Sequence, residues 1–248
     1  MNREELKKYI GITGHSLGQV EKDYLQHIIL GAISRNMGGE ITFKGGTALQ
    51  KTGIVTRFSE DLDFTARKPQ TMERLSRAVT SALDAYNYPS ESDRTMDDER
   101  TIGFRLLIQG PLYKGPESLS SVRIEISKRE SVFEEPERKE IAPPYADILP
   151  YIIEVMNPEE IASEKVRAIL TRSKARDMYD LYMLMLGGKK PDLDTVNQKL
   201  QYYDLEFNRE NFMKQCKLLE RKWDSEMAQL VGETPSFRTV CEFVINAL

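Results

Sequence analysis

Two aspartates separated by one residue are the side chains of this sequence best suited to chemistry. Asp61 and Asp63 flank Leu62 in the segment 58–64. In a strand, the two-residue period directs both carboxylates to one face while Leu62 anchors the other. Two like charges held side by side repel each other unless a cation lies between them. Mg²⁺ would suit that place, because it prefers carboxylate oxygens and keeps water and phosphate oxygens as its other ligands.

Short acidic triplets are common, and the alternative interpretation is an edge strand or turn exposed to solvent. A segment upstream favours catalysis. The run 44–49 reads Lys-Gly-Gly-Thr-Ala-Leu and places a diglycine between a predicted strand and a predicted helix. Free backbone N–H groups at such a junction can hold phosphate, and the Thr47 hydroxyl adds a donor.

A third carboxylate comes from a segment downstream. The run 122–127 alternates, so that Glu125 projects with Arg123 and Ser127 from the face opposite the isoleucines. Three carboxylates on adjacent strands can hold two metal ions about 3.5 to 4 Å apart, one activating a hydroxyl and the other bound to a triphosphate. The chain has 2 histidines and 2 cysteines, too few for other metal sites. The pattern therefore predicts carboxylate-bound metal and phosphoryl transfer.

The elements that must position these residues predict an α+β fold with a mixed sheet flanked by helices and a C-terminal helical bundle. Helices are predicted at 16–37 and 70–86, and 90–100 is predicted to be an exposed loop. The predicted strands are 41–44, 62–65, 103–109, 122–128 and 151–156. The predicted C-terminal helices are 158–172, 176–186, 193–202, 209–222 and 236–247. An α/β domain over 1–157 and a helical domain over 158–248 follow.

The helical domain is expected to contribute basic residues to the active-site cleft. If its first helix continues to residue 176, then Lys165, Arg172 and Arg176 lie within about 20° of one direction. Such cations could neutralise a triphosphate or an RNA backbone. The alternative is a solvated face on which Asp177 and Asp180 only pair with the arginines.

Composition limits the class of protein. Of the 248 residues, 40% are hydrophobic and 30% are charged, which is typical of a globular protein with a sizeable core. The net charge of −4 argues against indiscriminate coating of nucleic acid. No apolar run is long enough to cross a bilayer, and no leader is recognisable, so no membrane association and a cytoplasmic location are expected.

Several separated segments, in this order, resemble one family. A diglycine with threonine followed by Asp-Leu-Asp resembles the signature of the DNA polymerase β-type nucleotidyltransferases. The runs 43–49, 57–64, 164–165 and 171–181 together resemble more closely the AbiEii group, the toxin component of type IV toxin–antitoxin and abortive-infection systems. The similarity extends from about residue 40 to residue 185.

The resemblance implies roles for individual residues. Asp61 and Asp63 would be metal ligands, and Glu125 would be the third carboxylate, as a ligand or as a base. Lys165 would bind the triphosphate, and Asp177 would belong to an Arg-Asp element needed for activity. The implied nucleotide-binding residues are Lys44, Gly45, Gly46, Thr47, Arg57, Ser59, Lys165, Arg172 and Arg176.

The expected reaction is transfer of a nucleoside monophosphate from an NTP to an acceptor hydroxyl, with Mg²⁺ or Mn²⁺ as cofactor. The resemblance suggests RNA, especially the 3′ end of tRNA, as acceptor, growth arrest as outcome and a cognate antitoxin as partner. One alternative is transfer to a protein hydroxyl at the same site. Another is a catalytically silent nucleotide sensor or a module that assembles with a partner.

Overall fold

The computed structural model describes residues 1–228 and 230–248, which form two compact units. The sheet unit consists of residues 1–48, 60–132 and 136–155. The helical unit consists of residues 49–59, 133–135 and 156–248. Both units are discontinuous in sequence. The segment 49–59, for example, belongs to the helical unit although sheet-unit residues precede and follow it.

The sheet unit contains seven strands among the described residues. They are β1 (Ile41–Lys44), β2 (Leu62–Ala66), β3 (Ser90–Asp97), β4 (Thr101–Ile108), β5 (Ser120–Ser127), β6 (Glu137–Ile141) and β7 (Tyr151–Val155). Its helices are α1 (Arg3–Lys7), α2 (Ile10–Thr13), α3 (Leu17–Met37) and α5 (Met72–Ala85), while α4 (Gly45–Lys51) begins in this unit and ends in the other. The strand order is β3-β4-β5-β2-β1-β7-β6.

The sheet is mixed, as the sequence predicts. Strands β2 and β5 are parallel, as are β1 and β7, whereas the remaining neighbours are antiparallel. On one face the rings of Phe43 and Phe64 lie with centroids 5.1 Å apart. Leu62, Ile124 and Ile126 are also fully buried. Burying each such side chain contributes about 1.5–3 kcal/mol, which fixes the register and turns the alternate residues to the opposite face.

The prediction of an exposed loop over 90–100 is wrong. Residues Ser90–Asp97 form the edge strand β3, which pairs with β4. The side chain of Asp98 accepts hydrogen bonds from the N–H groups of Arg100 and Thr101, at 2.7 and 2.8 Å, and so closes the turn between the strands. The polar composition suggests a loop, but backbone hydrogen bonds to β4 hold this strand in the sheet, and most of its side chains are exposed.

The helical unit contains six helices that lie wholly within it among the described residues. They are α6 (Pro158–Thr171), α7 (Ala175–Leu186), α8 (Leu193–Gln201), α9 (Arg209–Leu218), α10 (Glu220–Met227) and α11 (Phe237–Ala247). The predicted helix 209–222 is thus two helices. Helix α6 packs against α7, α8 and α9. None of the described helices is both long and apolar enough to cross a membrane.

Candidate active site

Three charged residues form a row across the middle of the sheet unit. Lys44 on β1 is paired with Asp63 on β2, and Asp63 is paired with Glu125 on β5. Paired residues project to the same face of the sheet. Asp61 lies one residue before β2, and a place on that face stays a prediction for it. Phe64 and Ile124 anchor the opposite face. The register therefore brings Asp63 and Glu125 to one side of the sheet.

The diglycine lies against the second aspartate. Gly45 has φ +75°, a conformation that L side chains rarely adopt. A Cβ atom added at Gly45 would lie 2.7 Å from Oδ2 of Asp63, so no other residue fits without displacing the carboxylate. Glycine is thus required here for two reasons, the backbone conformation and the close approach of Asp63.

Thr47 supports the first aspartate from inside the fold. Its side chain is fully buried, and its hydroxyl donates a hydrogen bond to the main-chain oxygen of Asp61. The hydroxyl that the sequence assigns to phosphate is therefore engaged with the start of β2. A role for Thr47 at the nucleotide stays a prediction, and its observed contact fixes the backbone that carries Asp61.

The structure does not assemble the three acids into a closed metal cage. No three His, Cys, Asp or Glu residues within 1–228 and 230–248 are arranged to hold a metal ion. The Glu125 carboxylate instead accepts a hydrogen bond from Arg123 at 2.8 Å, and its side chain is 41% exposed. Direct ligation by Glu125 stays a prediction, and only its Oε2 atom is engaged by Arg123.

The chemistry of the remaining donors suits a hard divalent cation. Asp61 and Asp63 are partly exposed and supply carboxylate oxygens close together in sequence. Mg²⁺ is commonly bound by one or two carboxylates while water and substrate phosphates complete its octahedron. Two aspartates plus a triphosphate therefore fit the predicted cofactor without a third protein ligand.

Lys44, predicted to bind nucleotide, is buried at the end of the row. Its ammonium lies 2.5 Å from Oε2 of Glu130, and both residues belong to the sheet unit. Glu130 follows β5 and was not singled out from the sequence, since no periodic pattern marks a residue in a loop. The only available signal was an acid that follows two basic residues, Lys128 and Arg129.

The helical unit contains a second charged cluster, which is largely buried. The Lys165 ammonium lies 2.9 Å from Asp177 and 2.7 Å from Asp180. Arg57 donates two hydrogen bonds of 2.6 Å to the carboxylate of Asp180. Arg172 donates two hydrogen bonds of 3.0 Å to Asp177. Three cations thus surround two carboxylates.

The pKa shifts in this cluster have an electrostatic cause. Burial alone would raise the pKa of Asp177, but Lys165 and Arg172 together hold it well below the ordinary value of 3.8. At Asp180 burial also raises the pKa, but Arg57 and, to a smaller extent, Lys165 keep it below its ordinary value. Both carboxylates are therefore charged at neutral pH, and the cluster carries one net positive charge.

The predicted single basic face is wrong. Helix α6 ends at Thr171, and Arg172 has extended backbone angles of φ −148° and ψ 125°. The next helix begins at Ala175, whose N–H donates to Glu226 at 2.9 Å. Threonine and serine at 171 and 173 favour a helix end, because their hydroxyls compete for backbone hydrogen bonds. The break allows Arg172 to turn toward Asp177.

The structure thus groups the predicted residues into two sets. Lys44, Gly45, Gly46, Thr47, Asp61, Asp63 and Glu125 belong to the sheet unit. Arg57, Ser59, Lys165, Arg172, Arg176 and Asp177 belong to the helical unit. Ser59 donates its N–H to the Gln50 side chain at 3.1 Å, and Arg176 is half-buried on α7. Asp180, which holds both Arg57 and Lys165, is the member of the buried cluster absent from the predicted site.

The mixed sheet and the acidic strand beside a diglycine agree with what the resemblance to nucleotidyltransferases implies. The model of the nucleotidyl transferase AbiEii toxin family of type IV toxin–antitoxin systems matches residues 29–243. The chain therefore belongs to the AbiEii family. This family membership shows a nucleotidyltransferase, with a nucleotide substrate and an antitoxin partner implied by the type IV system.

Solved structures share the fold. The nucleotidyltransferase toxin MenT4 from Mycobacterium tuberculosis H37Rv is similar, with a TM-score of 0.69 and 18% identity over 100% of this chain and 88% of that chain. JHP933 from Helicobacter pylori has a TM-score of 0.58 and 20% identity over 94% of this chain and 90% of that chain. Among curated proteins no sequence matches.

Proposed function

We propose that this protein is a metal-dependent nucleotidyltransferase that adds a nucleoside monophosphate to the 3′ end of tRNA. The observation that carries the proposal is the row of Lys44, Asp63 and Glu125 on paired strands, with the Asp63 carboxylate against Gly45. The AbiEii family supports the reaction class. The acceptor, the metal and a cytoplasmic location, where NTP and tRNA are plentiful, are parts of the proposal.

The acceptor hydroxyl oxygen bonds to the α-phosphorus of the NTP, and the bond from that phosphorus to the bridging oxygen breaks. Pyrophosphate leaves, and the hydroxyl proton passes to solvent. When bound, Mg²⁺ supplies charge stabilisation and polarises the phosphate oxygens. Asp61 and Asp63 would hold it, with Glu125 as third carboxylate.

Residues of the chain itself are proposed to bind the phosphates and to hold the aspartates in position. Lys44 lies in the same row as Asp63 and offers one positive charge to the phosphates. Gly45 leaves room for the Asp63 carboxylate, and Thr47 fixes the main chain at Asp61. In the helical unit, Lys165, Arg172 and Arg176 are proposed to bind phosphate groups. Asp177 is proposed to hold Lys165 and Arg172 for that task.

The direct test is incubation of the purified protein with Mg²⁺, total tRNA and each of the four α-³²P-labelled NTPs. We expect label in tRNA at the 3′ terminus, with release of pyrophosphate. The Asp61→Asn variant should give no label while its circular dichroism spectrum stays native. Retained transfer in that variant would remove the aspartates from the mechanism.

The same reaction distinguishes the acceptors. Label that resists ribonuclease and migrates with protein would establish transfer to a protein hydroxyl instead, with mass spectrometry locating the Ser or Tyr. Because the net charge is −4, binding of tRNA should be local and should weaken as salt rises. Membership in a nucleotidyltransferase family decides against the catalytically silent module.

A further inference from the structure

A buried ion pair lies at one end of the row of charged residues. Lys44 is 7% exposed and Glu130 is 6% exposed, and their charged atoms lie 2.5 Å apart. Removing an ammonium from water costs several kcal/mol unless a counter-charge accompanies it. The position of Lys44 therefore depends on Glu130, a residue that the resemblance does not assign.

The register places this pair beside the candidate metal ligands. Lys44 and Asp63 are direct partners on antiparallel strands, and the Cβ atoms of such partners are about 4.5–5.5 Å apart on one face. Glu130 follows the end of β5, and its N–H donates to the hydroxyl of Ser127 at 3.4 Å. The strand that carries Glu125 thus also anchors Glu130.

We propose that Glu130 is a positioning residue that holds the Lys44 ammonium beside Asp63, where Lys44 binds the phosphates of the incoming NTP. The proposal rests on the proposed function and names a residue that acts through Lys44. A lysine side chain has many rotamers, and ordering it before the nucleotide arrives removes part of the entropic cost of binding.

The test compares nucleotide binding in variants of the full chain. Calorimetric titration with the α,β-methylene analogues of ATP, CTP, GTP and UTP is carried out in EDTA, so that no metal contributes. For the analogue that binds best, Glu130→Gln should raise Kd about tenfold. This is the change expected if Lys44 no longer makes one charge-assisted hydrogen bond to the phosphates. Lys44→Met should have a similar effect. In transfer assays KM should rise while kcat changes little, since the contact exists before and during reaction.

A double-mutant cycle shows whether Glu130 acts through Lys44. In the Lys44→Met background, Glu130→Gln should raise Kd no further, because the contact is already absent. The matched control is Glu154→Gln, which removes an ion pair of 2.9 Å with Arg67 elsewhere in the sheet unit. This control should leave Kd within about twofold of the wild-type value.

Each other result overturns the proposal. If the wild-type protein transfers nucleotide and the Glu130→Gln variant keeps the wild-type Kd and KM, this proposal alone is overturned. Additive effects of the two substitutions on Kd in the double-mutant cycle also overturn it alone. A wild-type protein that neither binds nor transfers any NTP overturns it together with the proposed function. If Glu130→Gln does not fold, Glu130→Asp serves instead, because its shorter carboxylate should draw the ammonium away and raise Kd about threefold. An unchanged Kd in Glu130→Asp overturns the proposal.

Discussion

The acidic row of the sheet unit and the charged cluster of the helical unit use charge in opposite ways. Asp63 on β2 and Asp61, one residue before that strand, are partly exposed. Asp177 and Asp180 are fully buried and surrounded by cations. The first arrangement invites a cation, whereas the second already contains its counter-charges. A charged motif on a partly exposed strand is therefore a better candidate for ligand binding than one enclosed among opposite charges inside the fold.

The largest effect should come from the acidic row. Asp63→Asn should lower nucleotide transfer about 1,000-fold, because loss of a metal ligand removes several kcal/mol of transition-state stabilisation. Initial rates with labelled NTP and tRNA measure the loss, and Glu154→Gln is the control. Glu125→Gln should cost less, because its carboxylate is engaged by Arg123. Equal losses at positions 63 and 125 would contradict this ranking.

The buried cluster should determine stability. Arg57→Met should lower the free energy of unfolding by about 3–5 kcal/mol, because it leaves Asp180 buried without its bidentate partner. Urea denaturation followed by circular dichroism measures this. The double variant Arg57→Met/Asp180→Leu should regain part of the loss, since it removes both charges but also removes the carboxylate 2.7 Å from the Lys165 ammonium. A single variant as stable as the wild type would show that the pair contributes little.

Glycine at the row should matter for both stability and activity. Gly45→Ala should lower stability by about 1–2 kcal/mol, the cost of a left-handed backbone, and should also reduce transfer by displacing Asp63. Gly53→Ala is the matched control, because Gly53 also has φ +75° but nothing lies within 4 Å of its Cβ position. Loss of transfer in both variants would argue against displacement of Asp63 as the cause.

Acid should weaken the buried cluster in particular. The pKa values of Asp177 and Asp180 are lower in the folded than in the unfolded protein, so the folded state binds fewer protons. Their stabilisation is complete above pH about 4 and is lost as the pH falls below it. Asp180→Asn should flatten the fall in unfolding free energy below that pH. The exposed Asp84→Asn should not, and identical slopes in all three proteins would contradict the assignment.

The sequence predicts the structure correctly where a short repeat of apolar residues determines which way the side chains point. Alternation in 62–65 and 122–128 predicts strands, and the structure pairs Asp63 with Glu125 on one face. The serine before the long N-terminal helix predicts its start, and Ser16 caps α3. These features are local, because backbone geometry alone decides which side chains share a face.

Long-range pairing was not predictable in the same way. The edge strand β3 is polar because its side chains are exposed, and only its pairing with β4 reveals it. The prediction that α6 continues to residue 176 is wrong, because Arg172 makes two hydrogen bonds to Asp177 beyond the helix end. The pair of Arg57 with Asp180 spans 123 positions, and that of Lys44 with Glu130 spans 86. No sequence period relates such distant residues.

The most direct test of the central claim is titration of the protein with Mn²⁺ in the presence of an α,β-methylene NTP analogue, followed by electron paramagnetic resonance. The wild-type protein should bind Mn²⁺, and the Asp61→Asn/Asp63→Asn variant should bind it at least tenfold more weakly while remaining folded. Equal Mn²⁺ affinity in the two proteins would contradict the assignment of these aspartates as the metal-binding pair.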